Sequence, residues 1–175
     1  YTLSLHDALP ISAAGDIYIG TGCGLMRYNR QTDSFDIIPE LVGIFVYDIK
    51  EDTSGNLWLA TYVCGVFRYD VSKKEWKNYV HNEKDEKSLS NNKVLSVFED
   101  SRRNVWLTTQ GRGICLFHPE TENFTRYDTG NGLPNDVVYQ IAEDEDGVFW
   151  LTTNNGLARF DLTSGAVKVY TTARS

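Results

Sequence analysis

Histidine, cysteine and clustered acids are the residue types in this sequence that could do chemistry, and each occurs in a suggestive place. His6 and Asp7 stand together in "YTLSLHDALPIS" between two serines, the residue types of a hydrolytic triad. His81 lies in the charged stretch "HNEKDEKSLSNN", and His118 closes the run "GICLFHP". No nucleophile, base and orienting acid recur at a workable spacing, so catalysis is not expected. Asp144 and Asp146 in "EDEDG" begin like a calcium loop. Val148, Phe149 and Trp150 then follow where oxygen ligands would be needed, so a solvated turn and no metal or cofactor are expected. Cys23, Cys64 and Cys115 are odd in number and contain no C-x-x-C pair, which argues against zinc and against a disulfide framework. They read as small residues near strand ends, with a Cys23–Cys64 bridge as the alternative.

Composition narrows the classes further. With 17 basic and 24 acidic residues the formal charge is −7, and basic residues cluster only as pairs such as Lys73-Lys74 and Arg102-Arg103. A nucleic-acid backbone would find little to hold. No apolar run approaches the roughly 20 residues that span a bilayer, and no signal-peptide pattern occurs. At 41% hydrophobic and 23% charged residues, the balance is that of a folded globular chain.

The elements that would position any site are repeated. "GDIYIGTGCGLMRYN", "GNLWLATYVCGVFRYD", "RNVWLTTQGRGICLFHP" and "GVFWLTTNNGLARFD" align. Tyr18, Trp58, Trp106 and Trp150 share a column with spacings of 58−18 = 40, 106−58 = 48 and 150−106 = 44, and Thr21, Thr61, Thr109 and Thr153 keep the same intervals. Upstream lie "LVGIFVYDIKED", "LSNNKVLSVFED" and "LPNDVVYQIAED", each with a leucine, a valine (Val46, Val94, Val138), an aliphatic three further on (Ile49, Val97, Ile141) and a closing Glu-Asp. Downstream comes an apolar pair three apart: Phe35/Ile38, Trp76/Tyr79, Phe124/Tyr127 and Val167/Tyr170.

These pieces are strand-sized, β-branched and aromatic, and are separated by Asp- and Gly-rich turns. Each repeat therefore reads as an antiparallel four-stranded meander. One such meander cannot bury itself, and Leu57 and Leu59 point to one face while Trp58 and Ala60 point to the other. Stacking on both sides at this period predicts an all-β fold, a β-propeller, whose rings close with about 4–8 blades. The expected organisation is a partial propeller of about four blades: an incomplete first blade over 12–40, then 41–87, 88–131 and 132–175.

The pattern L-x-x-x-x-V-x-x-I-x-E-D, then G-N-x-W-L-x-T, then x-G-x-x-R-[YF]-D resembles the two-component regulator propeller repeat. It runs from Leu41 to Asp70, Leu89 to His118 and Leu133 to Asp161, with a partial copy from Gly15 to Asn29. The resemblance implies the periplasmic sensor of a membrane-spanning hybrid histidine kinase, in which two large propellers precede an immunoglobulin-like segment. It further implies a homodimer, an oligosaccharide ligand, and membrane attachment through segments not contained in this sequence. Rings of that family need about seven blades. Four repeats therefore read as an arc whose partners include the remaining blades. Two departures stand out: Arg103 replaces a turn glycine, and His118-Pro119 replaces the Asp that ends the third strand.

Ligand contacts in propellers come from the loops joining second to third strands and each blade to the next. Here Tyr62 could stack on a sugar, and Gln110, Arg112, Asn154 and Asn155 could bind hydroxyls or a uronate. The tryptophan column is expected to pack between sheets, and the threonine column to bond across a strand turn. A propeller enzyme of lyase or lactonase type would need metal ligands on inner strands, where mostly aliphatic residues stand. A WD-type interaction scaffold would need G-H and W-D signatures, which are missing.

Residues 1–11 break the repeat. They fall opposite "LVGIFVYDIKE", yet His6 replaces the valine, Pro10 removes a strand donor, and only Leu9 fits. "YTLSLHDALPI" is identical to the translation of a common sequencing adapter, so this stretch is read as non-native, His6 and Asp7 carry no function, and the first blade lacks its native inner strand. Arg174-Ser175 are compatible with the reverse adapter.

Overall fold

The computed structural model describes residues 12–171. The reading of residues 1–11 as non-native and the status of Arg174 and Ser175 fall on residues outside the described ones. Four antiparallel sheets follow one another along the chain. The first holds β1 (Tyr18–Thr21), β2 (Gly24–Asn29) and β3 (Ser34–Ile37). The second holds β4 (Val46–Glu51), β5 (Leu57–Thr61), β6 (Val66–Asp70) and β7 (Glu75–Tyr79). The third holds β8 (Val94–Glu99), β9 (Val105–Thr109), β10 (Ile114–His118) and β11 (Asn123–Tyr127), and the fourth β12 (Val138–Glu143), β13 (Phe149–Thr153), β14 (Gly156–Phe160) and β15 (Val167–Tyr170). Each is a meander in sequence order, three strands in the first and four in the others. The fold is the open propeller arc that the repeats predict. Among the described residues no helix is long and apolar enough to cross a membrane.

The V-x-x-I spacing of the inner strands has a physical cause. In a regular strand, residues three apart face opposite sides. Here Val46 lies opposite Thr61 while Asp48 lies opposite Ala60, so Tyr47 is an extra residue, and the same shift occurs between Val94 and Ser96 and between Val138 and Gln140. The bulge returns Val46 and Ile49 to one face, against the preceding blade. The outermost strands carry no such shift, so Trp76 joins the core with the first blade while Tyr79 joins the core with the third.

Three cores therefore sit between blades, not within them. Leu57 and Leu59 pack toward the first blade; Trp58 and Ala60 pack toward the third. Trp106 packs with Phe149 and Leu151 of the fourth. Complete burial of Leu59, Leu107 and Leu151 in the second strands follows from each facing the preceding blade.

The Glu-Asp pair that closes each inner strand fastens this stack. Its aspartate caps the following turn and accepts the indole N–H of the tryptophan column: Trp58 to Asp52 at 2.8 Å, Trp106 to Asp100 at 2.9 Å and Trp150 to Asp144 at 2.9 Å. Its glutamate reaches the turn of the preceding blade. Glu51 accepts from the Ala13 amide, Glu99 from the amide and hydroxyl of Thr53, and Glu143 from the amide and hydroxyl of Ser101. The turn itself needs a left-handed residue, supplied by Gly15, Gly55 and Gly147 but by Arg103 in the third blade, at φ 66. That backbone is strained for a side chain. Arg103→Gly is expected to raise stability by about 1 kcal/mol, read as a higher urea midpoint at unchanged slope.

Candidate functional site

The loops joining second to third strands lie at one end of the blades, against the connections between blades. The Gly65 amide donates to the Asn92 carbonyl, Gln110 to Lys93, and Gly111 and Gly113 to Asp136. Within each loop the threonine column does what its position predicts. Thr21, Thr61, Thr109 and Thr153 donate their hydroxyls to the carbonyls of Gly24, Gly65, Gly113 and Gly156, at 2.7–3.1 Å. The loop backbone is therefore uniform while its side chains differ.

The five predicted contact residues reach this end but fall into three groups. Tyr62, 39% exposed, joins Phe45 at 6.0 Å and Tyr47 at 5.7 Å between ring centroids, and the Lys93 ammonium lies 5.3 Å from its ring centre. Gln110 and Arg112 belong to the next blade. The Gln110 carbonyl accepts from Asn91, and the Arg112 guanidinium lies 3.4 Å from His81 Nε2. Asn154 accepts the Tyr139 hydroxyl at 2.6 Å, and Asn155 donates to the Pro134 carbonyl. Phe45 and Lys93 were missed in the sequence because they immediately precede inner strands, and Tyr47 because it lies within one. The V-x-x-I spacing of Val46 and Ile49, which a regular strand cannot place on one face, was the available signal.

Other candidates are structural. Asp144 receives the Asp146 and Val148 amides on one carboxylate oxygen and Trp150 on the other. The Trp150 bond, then the Val148 amide, hold its carboxyl below the usual range. His118 bonds Thr125 at 2.7 Å across a strand pair. Cys23, Cys64 and Cys115 are all unpaired, so the alternative Cys23–Cys64 bridge is absent. Cys115 is buried beside Ser90, and burial pushes its thiol upward. Asp48 is the notable acid on an inner strand: it accepts the Val97 amide of the next blade at 2.9 Å, while burial pushes its carboxyl upward.

Two cavities open at the opposite end, in the seams between blades. One of about 180 Å³ lies among Asn104, Trp106, Tyr127 and Thr163; the other, of about 130 Å³, lies among Asn56, Trp58, Arg68 and Pro119. Both fall below the roughly 300 Å³ at which small-molecule pockets begin.

The class defined by this architecture is a β-propeller built from regulator-type repeats. The family model for the two component regulator propeller matches residues 40–63, 88–111 and 132–155, so three stretches of the chain match that repeat. It is 29% identical over 167 residues to a histidine kinase, P4, of Formosa agariphila, covering 88% of this chain and 12% of that protein. Among solved structures, the extracellular domain of a hybrid two component system of B. thetaiotaomicron superposes with a TM-score of 0.86 at 21% identity, over 97% of this chain and 25% of that one. Virginiamycin B lyase of Staphylococcus aureus gives 0.68 at 18% identity, over 94% of this chain and 55% of the enzyme. At these identities the structural likenesses concern the fold. The chain thus spans a small part of its sensor relatives.

Proposed function

We propose that this chain is part of the extracytoplasmic ligand-sensing propeller of a hybrid two-component histidine kinase, and that its ligand is an oligosaccharide. The observation that carries the reading is the loop end. A uniform threonine-and-glycine framework presents different side chains on each blade, and on the second blade exposed Phe45 and Tyr62 join half-buried Tyr47 in an aromatic group beside Lys93. Aromatic faces suit the apolar C–H faces of sugar rings, and the amides and cations nearby suit hydroxyls or a carboxylate. On this reading the whole protein sits at the periplasmic face of the inner membrane, works as a homodimer, and passes ligand occupancy to a cytoplasmic kinase, with this part of it binding ligand.

Calorimetry of the intact sensor domain against a panel of neutral and acidic oligosaccharides tests this. Saturable binding is expected, with Tyr62→Ala weakening it about tenfold, as loss of one stacking contact would. Binding indifferent to Tyr62, Gln110, Arg112, Asn154 and Asn155 variants would overturn the assignment of these residues. Chelator-sensitive turnover by the intact protein would favour the propeller-enzyme reading instead.

A further inference from the structure

The seam between the second and third blades gathers the charge of the loop end. Of the four loops joining second to third strands, only that of the third blade carries a charged residue, Arg112. In the three connections between blades, the residue just before the inner strand is Phe45, then Lys93, then Val137. Both cations therefore fall at one seam, whose two blades both lie within the described residues.

Neither cation is neutralised by a carboxylate among the described residues. The ion pairs there are those of Arg68 and Lys73 with Asp70 and of Arg68 and Lys77 with Glu122, all on carboxylates at turns between third and fourth strands. The connection that crosses the seam carries Glu83, Asp85 and Glu86, yet none of them pairs with Arg112 or Lys93. Asp136, whose carbonyl anchors the Arg112 loop, turns its carboxylate to the amide and hydroxyl of Thr129. In a chain of net charge −7, two such cations at one seam are a feature to explain.

Arg112 is also held in place. Its loop is pinned by the Gly111 and Gly113 amides, which both donate to the Asp136 carbonyl, and by the Thr109 hydroxyl on the Gly113 carbonyl. Its guanidinium faces His81. Nδ1 of that ring lies 2.8 Å from the Leu89 carbonyl, which can only accept, so Nδ1 carries the proton. Nε2 is then the acceptor toward Arg112 Nη1 at 3.4 Å, and since arginine can only donate, the ring that meets it is neutral. A neutral partner orients the guanidinium without cancelling its charge, and the rest of the fork stays open to an anion.

We propose, on the oligosaccharide reading above, that the ligand is acidic: its carboxylate or sulfate pairs with Arg112, while another of its sugars rests on Tyr62 beside Lys93. The guanidinium fork suits either anion through two parallel bonds, and such charge-assisted bonds are about twice as strong as neutral ones. His81 acts as a positioning residue, fixing the fork and leaving its charge whole.

Calorimetry of the intact protein against paired oligosaccharides tests this, each uronate chain set beside its methyl ester and each sulfated chain beside its desulfated twin. An acidic member is expected to bind about tenfold tighter than its neutral twin, and the gap should close at high salt. Which pair shows the gap tells carboxylate from sulfate. Arg112→Gln should weaken the acidic member about tenfold and leave its neutral twin unchanged, and Arg112→Lys should recover only part. His81→Leu should weaken it severalfold alone and no further beside Arg112→Gln, because the ring acts through the guanidinium. Circular dichroism checks that each variant keeps the parent's sheet signal and melting profile. Equal binding of the twins, or an Arg112→Gln loss shared by both, overturns the acidic ligand and leaves the oligosaccharide reading standing; no binding by any member overturns both. A His81→Leu loss that adds in full to that of Arg112→Gln overturns the positioning role.

Discussion

Trp106→Ala is expected to cost about 3–5 kcal/mol, a large share of the stability of a domain this size. Trp106 is 2% exposed and holds together three neighbours. Its ring lies 5.1 Å from Phe149, nearly perpendicular, and 5.6 Å from Tyr127, while its indole N–H donates to Asp100. Truncation opens a void at the seam between the third and fourth blades. It also removes one donor from a carboxylate that caps its own turn through the Arg102 and Asn104 amides. Urea unfolding followed by circular dichroism measures the loss. Trp150→Ala, made at the same column but partly exposed, should cost less than half as much. Equal losses would mean that the column acts through local strand propensity and not through the inter-blade core.

Gly113→Ala is expected to destabilise by about 3 kcal/mol, an unusual size for a single methyl group. Gly113 sits at φ 68, and a Cβ there would run into the Tyr127 carbonyl oxygen, which is backbone and cannot swing aside. Left-handed strain accounts for about 1–2 kcal/mol and the forced displacement for about 1–3 more. Gly132→Ala is the paired measurement. Gly132 is also left-handed, at φ 115, yet an added Cβ meets nothing within 4 Å, so only the strain remains. Thermal melts of the two variants should separate by several degrees. If they coincide, the close approach at Tyr127 relaxes freely and the displacement cost assigned to Gly113 is wrong.

Much of the architecture was readable because the repeat places equivalent residues in equivalent surroundings. Leu57, Leu59, Trp58 and Ala60 alternate between two cores as their strand periodicity requires. The Thr column bonds across its turn as anticipated. The role of the Glu-Asp pair was visible as a pattern but not as a mechanism. Its carboxylates act on partners six residues and more than forty residues away, and no local propensity encodes a bond such as that from Thr53 to Glu99. The bulge was hidden for a related reason: V-x-x-I contradicts strand periodicity unless one residue is set aside, and only pairing with β5, β9 and β13 shows which. The candidate site was the least legible part. Loop side chains are fixed by neighbours distant in sequence, so Tyr62 could be named while its companions Phe45 and Lys93 could not.

The glutamate links all run in one sense, from a later blade back to the turn of the one before it: Glu51 to Ala13, Glu99 to Thr53, Glu143 to Ser101. Each turn is therefore latched only when the inner strand of the following unit is in place, so that displacing one inner strand releases the turn of the unit before it as well as its own sheet.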